Sequence, residues 1–284
     1  MVGADRARAG PRAVGLLAGE GQLPEVLAQA VRRAGLPLVC VQMAGSSAAL
    51  QAAADVFVRL APGDWEGLFR LWQEHGVREV LLAGRFDRAA LPDALAAGGE
   101  AARAFLVQQT DRRDQRFLEA FAARLAGLGM TVVDQRAYAR DLLPSPGPLA
   151  GPPLSAQEER DVALGIGVAR TLAAQDVGQT IILKGGVILA VEAAEGTDAA
   201  IRRGGEMAPG AVVVKVSRPR QDPRFDLPTI GPETVETMAG VRARALAVEA
   251  GRTLVLGREA LVAAAEAASI TVTAVEAPPL PGGS

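Results

Sequence analysis

The most chemically suggestive part of the chain is a stiff segment of mixed charge, residues 215–232. Its 18 residues include four prolines, four cationic side chains and the two acids Asp222 and Asp226. An apolar run that predicts a buried strand comes directly before it. Hydrolysis of a phosphoanhydride requires this mixture, because cations balance the phosphate oxygens and a carboxylate holds a metal ion or orients water. A polar surface loop stiffened by proline is the simpler alternative.

Two lysines stand out in a chain that otherwise uses arginine. Arginine supplies 28 of the 30 basic residues, and Lys184 and Lys215 are the other two. A compact ammonium is a common phosphate ligand, which favours a role for both residues. The survival of two lysines by chance is the open alternative.

A second polar cluster follows an apolar strand predicted over residues 187–192. Glu192, Glu195 and Asp198 place three carboxylates near the carboxyl end of that strand, where α/β sheets usually bind ligands. Carboxylates gathered in this way suit Mg²⁺. Thr197 or Asp198 can instead cap the helix that begins near Ala199, and for one of the two this is the simpler interpretation.

A third candidate is the loop Gly19-Glu20-Gly21, between the first predicted strand and its helix. Glycines let a ligand approach the backbone, and the next helix offers its N-terminal amides to an anion. The third glycine of the dinucleotide fingerprint is missing, because Pro24 occupies its position, and no well-placed acid follows the second strand. The loop is therefore a weak indication of a nicotinamide cofactor. A ligand-facing turn and a purely structural turn both remain open.

The elements that position these residues alternate through the N-terminal half. Apolar runs predict strands over residues 13–17, 38–41, 56–60 and 77–83. Apolar residues at helical spacing predict helices after the first strand, over 64–75 and over 114–125. Strands interleaved with helices imply a mostly parallel sheet with helices on both faces. We therefore predict a Rossmann-like parallel α/β domain.

The C-terminal half has a different order of elements. Its pattern predicts a helix over 156–174, a hairpin turning at Gly185-Gly186, a strand over 211–216, a helix over 232–240, a strand pair around Gly251, a helix over 259–268 and a strand over 270–275. Between the halves, residues 144–153 hold five prolines and two glycines. We therefore predict an N-terminal α/β domain over 1–143, a linker over 144–155 and a C-terminal mixed α/β domain over 156–284.

Length and composition exclude several classes of protein. A chain of 284 residues with 49% hydrophobic content has enough apolar residues for two cores without metals or disulfides. A net charge of −2 without a Lys/Arg run argues against a nucleic-acid partner. No run of 18 apolar residues or signal-peptide pattern occurs, which predicts a cytoplasmic protein without a membrane-spanning helix. The lone Cys40, expected to be buried, excludes an internal disulfide, and the lone His75, expected to end its helix, disfavours a multi-histidine site.

Four short motifs resemble those of a known family. They read GLLAGEGQLP (15–24), DVGQT (176–180), AVEAAEGTD (190–198) and, within 215–232, QD (221–222) followed by DLPTIGP (226–232). The family is the LpxI-type UDP-2,3-diacylglucosamine pyrophosphatases, and the similarity runs over nearly the whole chain. The resemblance implies Mg²⁺-dependent hydrolysis of UDP-2,3-diacylglucosamine to UMP and 2,3-diacylglucosamine 1-phosphate, a step in lipid A assembly. The implied partner is a lipid-linked nucleotide sugar, with at most peripheral contact at the inner membrane face.

The resemblance also implies roles for individual residues. Asp226 corresponds to the family's key acid, as a catalytic or metal-binding carboxylate, and Thr197, Asp198, Lys215, Gln221 and Asp222 follow as site residues. For the mechanism, we expect Asp226 to hold Mg²⁺ together with Asp222 or Asp198, and Lys215 and Asp222 to be further catalytic groups. The residues expected to bind substrate are Gly19, Glu20, Gly21, Gln179, Lys184, Thr197, Arg218, Gln221 and Thr229.

One stretch departs from the family pattern. Members usually carry Gly-Asp-Asp or Asn-Asp-Asp where the helix before the linker begins, whereas this chain has Arg112-Arg113-Asp114-Gln115 and keeps a single acid. This leaves open a protein that binds a lipid nucleotide without cleaving it. A nicotinamide-dependent oxidoreductase built on the glycine loop is a further, weaker alternative. The sequence does not indicate an oligomeric state.

Overall fold

The computed structural model describes residues 12–43, 45–84, 114–218, 222–225 and 227–276, with only the helical backbone for 114–117. The described chain forms two compact units. The first contains the described residues up to Ala139 together with Pro223–Phe225, and the second contains Arg140–Asp222 and the described residues from Leu227 onward. The charged segment at 215–232 therefore contributes residues to both units.

The first unit is built on a parallel sheet of five strands in the order β3-β2-β1-β4-β5. The strands are β1 (Ala13–Ala18), β2 (Leu38–Gln42), β3 (Val56–Arg59), β4 (Val77–Ala83) and β5 (Thr131–Val132). Strand β1 pairs in parallel with both β2 and β4, so the winding direction of the sheet reverses between β1 and β4. This order confirms the Rossmann-like prediction and places the Gly19-Glu20-Gly21 turn at the topological switch point.

Helices of the first unit follow its strands in sequence. They are α1 (Leu23–Arg33), α2 (Ala48–Ala53), α3 (Trp65–Glu74), α4 (Asp114–Gly127) and α5 (Arg136–Ala139). His75 follows the last residue of α3, as predicted, and the fully buried Trp72 lies in the core beneath that helix. Phe225 packs against the same core although it lies far along the chain. Cys40 is buried as predicted, and this burial raises the pKa of its thiol to about 12.

The second unit contains a mixed sheet of six strands in the order β6-β13-β11-β9-β7-β8. These strands are β6 (Gly147–Ala150), β7 (Thr180–Lys184), β8 (Val187–Val191), β9 (Val212–Lys215), β11 (Ala245–Glu249) and β13 (Thr271–Val275). Strands β9, β11 and β13 run parallel, whereas β7 and β6 are antiparallel to their neighbours. A separate parallel pair joins β10 (Thr229–Ile230) to β12 (Leu254–Val255). The predicted mixed α/β architecture is confirmed.

Helices cover both faces of the second sheet. They are α6 (Ala156–Ala174), α7 (Thr197–Met207), α8 (Pro232–Gly240) and α9 (Arg258–Ala267). Apolar residues of α6 pack on one face, and those of α7, α8 and α9 pack on the other. Helix α6 begins with a capping box, in which Ser155 Oγ accepts from the Glu158 amide at 3.3 Å and the Glu158 carboxylate accepts from the Ser155 amide at 2.6 Å.

Two predictions about the second half are wrong. Part of the expected linker, Gly147–Ala150, forms β6, which pairs with β13 at the edge of the sheet. An edge strand tolerates proline because one of its sides has no ladder to complete. The two strands expected around Gly251 are present as β11 and β12, but they belong to different sheets and do not pair with each other. Proline content and the spacing of strands along the sequence do not determine which strands pair with each other.

None of the helices in the described part of the chain combines the length and the apolar character needed to cross a membrane.

Candidate functional site

The candidate site lies at the edge of the second sheet where β9 ends. Lys215 is the last residue of β9 and lies opposite Thr180, the first residue of β7, in the antiparallel register. Strand β8 runs back along β7 and ends beside Thr180, so Glu192, which follows β8, reaches the same edge. The hairpin thus brings the DVGQT and AVEAAEGTD motifs next to the start of the charged segment.

Hydrogen bonds join these residues into one network. The Lys215 ammonium donates to Thr197 Oγ1 at 3.1 Å and to the Thr229 carbonyl oxygen at 2.9 Å. Thr197 Oγ1 in turn donates to Glu192 Oε1 at 2.9 Å. The backbone amide of Gln179 donates to Glu192 Oε2 at 3.4 Å. We call Glu192, Thr197, Lys215 and Thr229 the lysine network.

A glycine lets two of the motifs lie together. Gly178 precedes Gln179, and a Cβ at this position would overlap the carbonyl oxygen of Glu192. Any larger residue would push the start of β7 away from the end of β8. The glycine in DVGQT is therefore a packing requirement of the network.

Helix α7 begins at this edge without a side-chain cap. Its N-cap is Gly196, with φ of 85°, and no side chain among the described residues accepts from the first amides. The prediction that Thr197 or Asp198 caps this helix is wrong, because Thr197 is the first helical residue and its hydroxyl bonds Glu192 and Lys215 instead. The amides of an uncapped helix start and a nearby ammonium both favour an anion.

The three carboxylates near α7 do not form the expected metal cluster. Glu192 accepts from Thr197 and Gln179, and Glu195 pairs with Arg203 at 2.5 Å. Hydrogen bonds from its own amide and from Arg203 lower the pKa of Glu195. Across the described residues, no three His, Cys, Asp or Glu side chains are grouped to hold a metal ion. Asp198 is half-buried in the first turn of α7, and no hydrogen bond links its side chain to the described residues.

Other predicted site residues lie in different places. The antiparallel register puts Lys184 beyond Val212, at the opposite end of β9 from Lys215, about 13 Å along the strand. Its ammonium donates to the Pro209 carbonyl oxygen, so the structure does not bring it to the lysine network.

Arg218 follows β9 and pairs through Nε with Asp176 at 2.9 Å. Asp222 is half-buried, and Gln221 and Asp226 lie outside the described residues.

The glycine loop of the first unit is a tight backbone turn. The Gly19 amide donates to the Ala83 carbonyl oxygen at 2.8 Å, and Gly21 has φ of +103°. Gly84 follows β4 with φ of +93°, and a Cβ there would lie 2.7 Å from the Glu20 carbonyl oxygen. Glu20 and Gly21 themselves are exposed. Gly84 therefore satisfies a packing requirement, and Gly21 permits the positive φ of the turn.

Comparison with known proteins bears on both halves of the chain. A model of the LpxI N-terminal domain matches residues 13–142, and a model of the LpxI C-terminal domain matches residues 145–273. The chain belongs to the LpxI family. It is 29% identical over 281 residues to the UDP-2,3-diacylglucosamine pyrophosphatase LpxI of Caulobacter vibrioides, covering 93% of this chain and 98% of that relative. The resemblance seen in the motifs is therefore confirmed.

Two solved structures are similar to parts of this LpxI-family chain. They are a glycinamide-RNase-transformylase T from Mycobacterium tuberculosis and an N5-carboxyaminoimidazole synthetase from Staphylococcus aureus, 18% and 16% identical. Each covers 64% of this chain, and the match spans 44% and 41% of those proteins. With TM-scores of 0.24, neither likeness carries a functional argument.

A buried acid in this LpxI-family chain escaped the sequence analysis. Glu249 is the last residue of β11 and is only 4% exposed. Its Oε2 accepts from the Ser217 amide at 2.9 Å, and its Oε1 lies 3.5 Å from Arg252 Nε. Glu249 therefore holds the backbone where the charged segment leaves β9. The available signal was a single acid ending an apolar strand, ALAVE, beside a turn that contains Arg252.

Proposed function

We propose that this protein hydrolyses the diphosphate of UDP-2,3-diacylglucosamine, releasing UMP and 2,3-diacylglucosamine 1-phosphate. The observation that carries the proposal is the lysine network, which holds the Lys215 ammonium beside the uncapped start of α7. The network is built from the motifs that resemble the LpxI family. The Caulobacter relative is named for this reaction.

The electrostatics of this edge fit a diphosphate. The amides at a helix start carry a partial positive charge, and an ammonium adds a full one. Hydrogen bonds to Thr197 and Thr229 hold Lys215 in place, so little reorganisation is needed when charge develops on the phosphate oxygens. We propose that Lys215 stabilises this charge, with Arg218 as a second cation. Gln179, Gln221 and Thr229 are proposed to bind substrate at the same edge.

The carboxylates have a separate proposed role. Asp226 is proposed to hold Mg²⁺ or to orient the attacking water, with Asp222 as a further catalytic acid and Asp198 as a second metal ligand. The half-buried Asp198 fits this role, because Mg²⁺ takes oxygen ligands and usually only one or two protein carboxylates. When bound, Mg²⁺ would supply positive charge to the diphosphate.

The substrate's acyl chains place it at a membrane. We therefore propose a cytoplasmic protein that makes at most peripheral contact with the inner membrane face. The Gly19-Glu20-Gly21 turn is proposed as a substrate contact of the first unit, since a switch point is where doubly wound sheets bind ligands.

A direct assay tests the reaction. Purified protein is incubated with UDP-2,3-diacylglucosamine in detergent micelles, with Mg²⁺ or with EDTA, and UMP is measured by chromatography. We expect UMP release that requires Mg²⁺. Tight binding of intact substrate, with no UMP after long incubation with Mg²⁺, would instead identify a protein that binds the lipid nucleotide without cleaving it.

Substitution of the key acid tests its role. We expect Asp226→Asn to lower the rate roughly a hundredfold or more, since removing one electrostatic group from a preorganised site typically has this effect. The matched control is Asp141→Asn, which changes an exposed carboxylate outside the proposed site. If Asp226→Asn keeps most of its activity, the role assigned to Asp226 is wrong.

A further inference from the structure

The direction of the hydrogen bonds in the lysine network is fixed by chemistry. An ammonium has only donors, and an ionised carboxylate has only acceptors. The Thr197 hydroxyl lies between them, 3.1 Å from Lys215 Nζ and 2.9 Å from Glu192 Oε1. Its single hydrogen must therefore point at Glu192, and its lone pair must face Lys215. No other arrangement satisfies both neighbours.

Glu192 is itself anchored by the backbone. Its second oxygen accepts from the Gln179 amide, and the overlap that any Cβ at Gly178 would cause shows how closely the two strand ends approach. The carboxylate thus has a defined place at the end of β8. A fixed acceptor in turn holds the hydroxyl hydrogen of Thr197 in one direction.

We propose that Glu192 is a positioning residue, which orients the Thr197 hydroxyl so that its oxygen holds the Lys215 ammonium in place. This rests on the proposed function insofar as Lys215 serves a diphosphate, but the arrangement itself can be tested without the reaction. It also gives Glu192 a different role from the metal ligand suggested by the cluster of acids. Its two oxygens are committed to Thr197 and Gln179.

The small number of lysines makes a selective test possible. Lys184 and Lys215 are the only two in the chain, so the rate at which an amine-reactive reagent modifies each can be followed by peptide mass spectrometry. Lys184 is exposed and distant from the network, and it serves as the internal reference. A hydrogen-bond acceptor stabilises the charged ammonium form of a lysine. Loss of that acceptor therefore favours the neutral amine, which is the form that reacts with the reagent.

We expect Thr197→Val and Glu192→Gln each to raise the labelling rate of Lys215 by roughly three- to tenfold, with Lys184 unchanged. Thr197→Ser keeps the hydroxyl and should restore slow labelling. The controls are Thr171→Val and Glu206→Gln, which change an exposed threonine and an exposed glutamate elsewhere in the second unit. Faster labelling of both lysines would reveal general loosening and would overturn the proposal, as would unchanged labelling of Lys215 in Glu192→Gln.

Steady-state kinetics tests whether the positioning role of Glu192 affects the reaction. Because the held ammonium acts on charge that develops in the transition state, kcat should fall roughly ten- to a hundredfold in Thr197→Val, with KM changed less than about threefold. Glu192→Gln should give a similar loss, and the double variant should lose little more than Thr197→Val alone, because both substitutions break one chain of contacts. Additive losses would overturn the proposal.

The labelling and kinetic experiments distinguish failure of the proposed reaction from failure of the positioning role of Glu192. If the wild-type protein releases no UMP, the proposed function fails while the labelling experiment still reports on Glu192. If UMP is released but Lys215 labels at the same rate in all variants, the function stands and the positioning role is wrong.

Discussion

The two units differ in what lies at the carboxyl ends of their parallel strands. In the first unit, backbone turns at Gly21 and Gly84 shape this edge, and Gly84 allows close approach to the Glu20 carbonyl oxygen. In the second unit, hydrogen-bonded charged side chains occupy the corresponding position around Lys215. Both edges are where α/β sheets commonly bind ligands.

The comparison separates two kinds of contribution. A backbone turn fixes shape and is sensitive to any added Cβ, whereas a side-chain network supplies charge and is sensitive to the loss of single polar atoms. Substitution of Gly84 in the first unit should therefore act mainly on stability. Substitutions in the lysine network should act mainly on the reaction.

The largest effect is expected for the ammonium itself. Lys215→Met removes the charge and keeps a side chain of similar length, so we expect kcat for UMP release to fall roughly a hundred- to a thousandfold. Lys184→Met should stay within about twofold of the wild type, because the register places Lys184 at the other end of β9. Equal losses in the two variants would show that the ends of β9 do not differ in the way proposed.

The turn after β4 should respond in stability. In Gly84→Ala the new Cβ would lie 2.7 Å from the Glu20 carbonyl oxygen, at a φ of +93°. We expect a loss of about 2–4 kcal/mol in the free energy of unfolding, measured by urea denaturation. The control is Gly76→Ala, where φ is +66° but no atom lies within 4 Å, and the expected cost is only about 1 kcal/mol. Similar costs would mean that close approach is unimportant at Gly84.

The sequence predicted the larger elements because each carries its own periodicity. The helices at 156–174 and 232–240 and the strand at 77–83 agree with the structure residue for residue. Short elements such as α2, β5 and β10 were not predicted, because a few residues contain too little pattern. Pairing of β6 with β13 depends on residues more than 100 positions apart, which local spacing does not encode.

The site was predictable only in part. The motifs identified Thr197, Lys215 and Thr229, and the structure brings all three together. The antiparallel register of β7 separates Lys184 from them, and that register was not apparent from residue type. The role of Glu192 also depends on geometry, since an acid beside other acids first indicates a metal site.

A hairpin at the opposite end of β7 offers a milder stability test. Asp161 on α6 is buried and accepts from the Gly185 and Gly186 amides at 2.7 and 2.8 Å. Asp161→Asn should cost about 1–3 kcal/mol in the urea unfolding experiment, because an amide cannot accept both bonds equally well. Activity per folded molecule should not change, and Glu159→Gln on the exposed side of α6 is the control. A large fall in kcat would contradict the separation between the hairpin and the site.

The smallest effect concerns a hydroxyl beside Lys215. Thr180 is 1% exposed, and its Oγ1 has no hydrogen-bond partner in the described part of the chain. Replacing an unsatisfied buried hydroxyl by a methyl group removes a desolvation cost, so Thr180→Val should raise the free energy of unfolding by up to about 1 kcal/mol. Thr253→Val is the matched control, because Thr253 is also fully buried with an unpartnered hydroxyl.

The kinetics of Thr180→Val then distinguish a packing role of the hydroxyl from a role in substrate binding. If the hydroxyl is only a packing element, kcat and KM for UMP release stay within about twofold of the wild type, as they should in Thr253→Val. A selective rise in KM for Thr180→Val, with stability unchanged or increased, would show that the hydroxyl binds substrate. Thr180 would then be part of the substrate site together with the lysine network, because it pairs directly with Lys215 across β7 and β9.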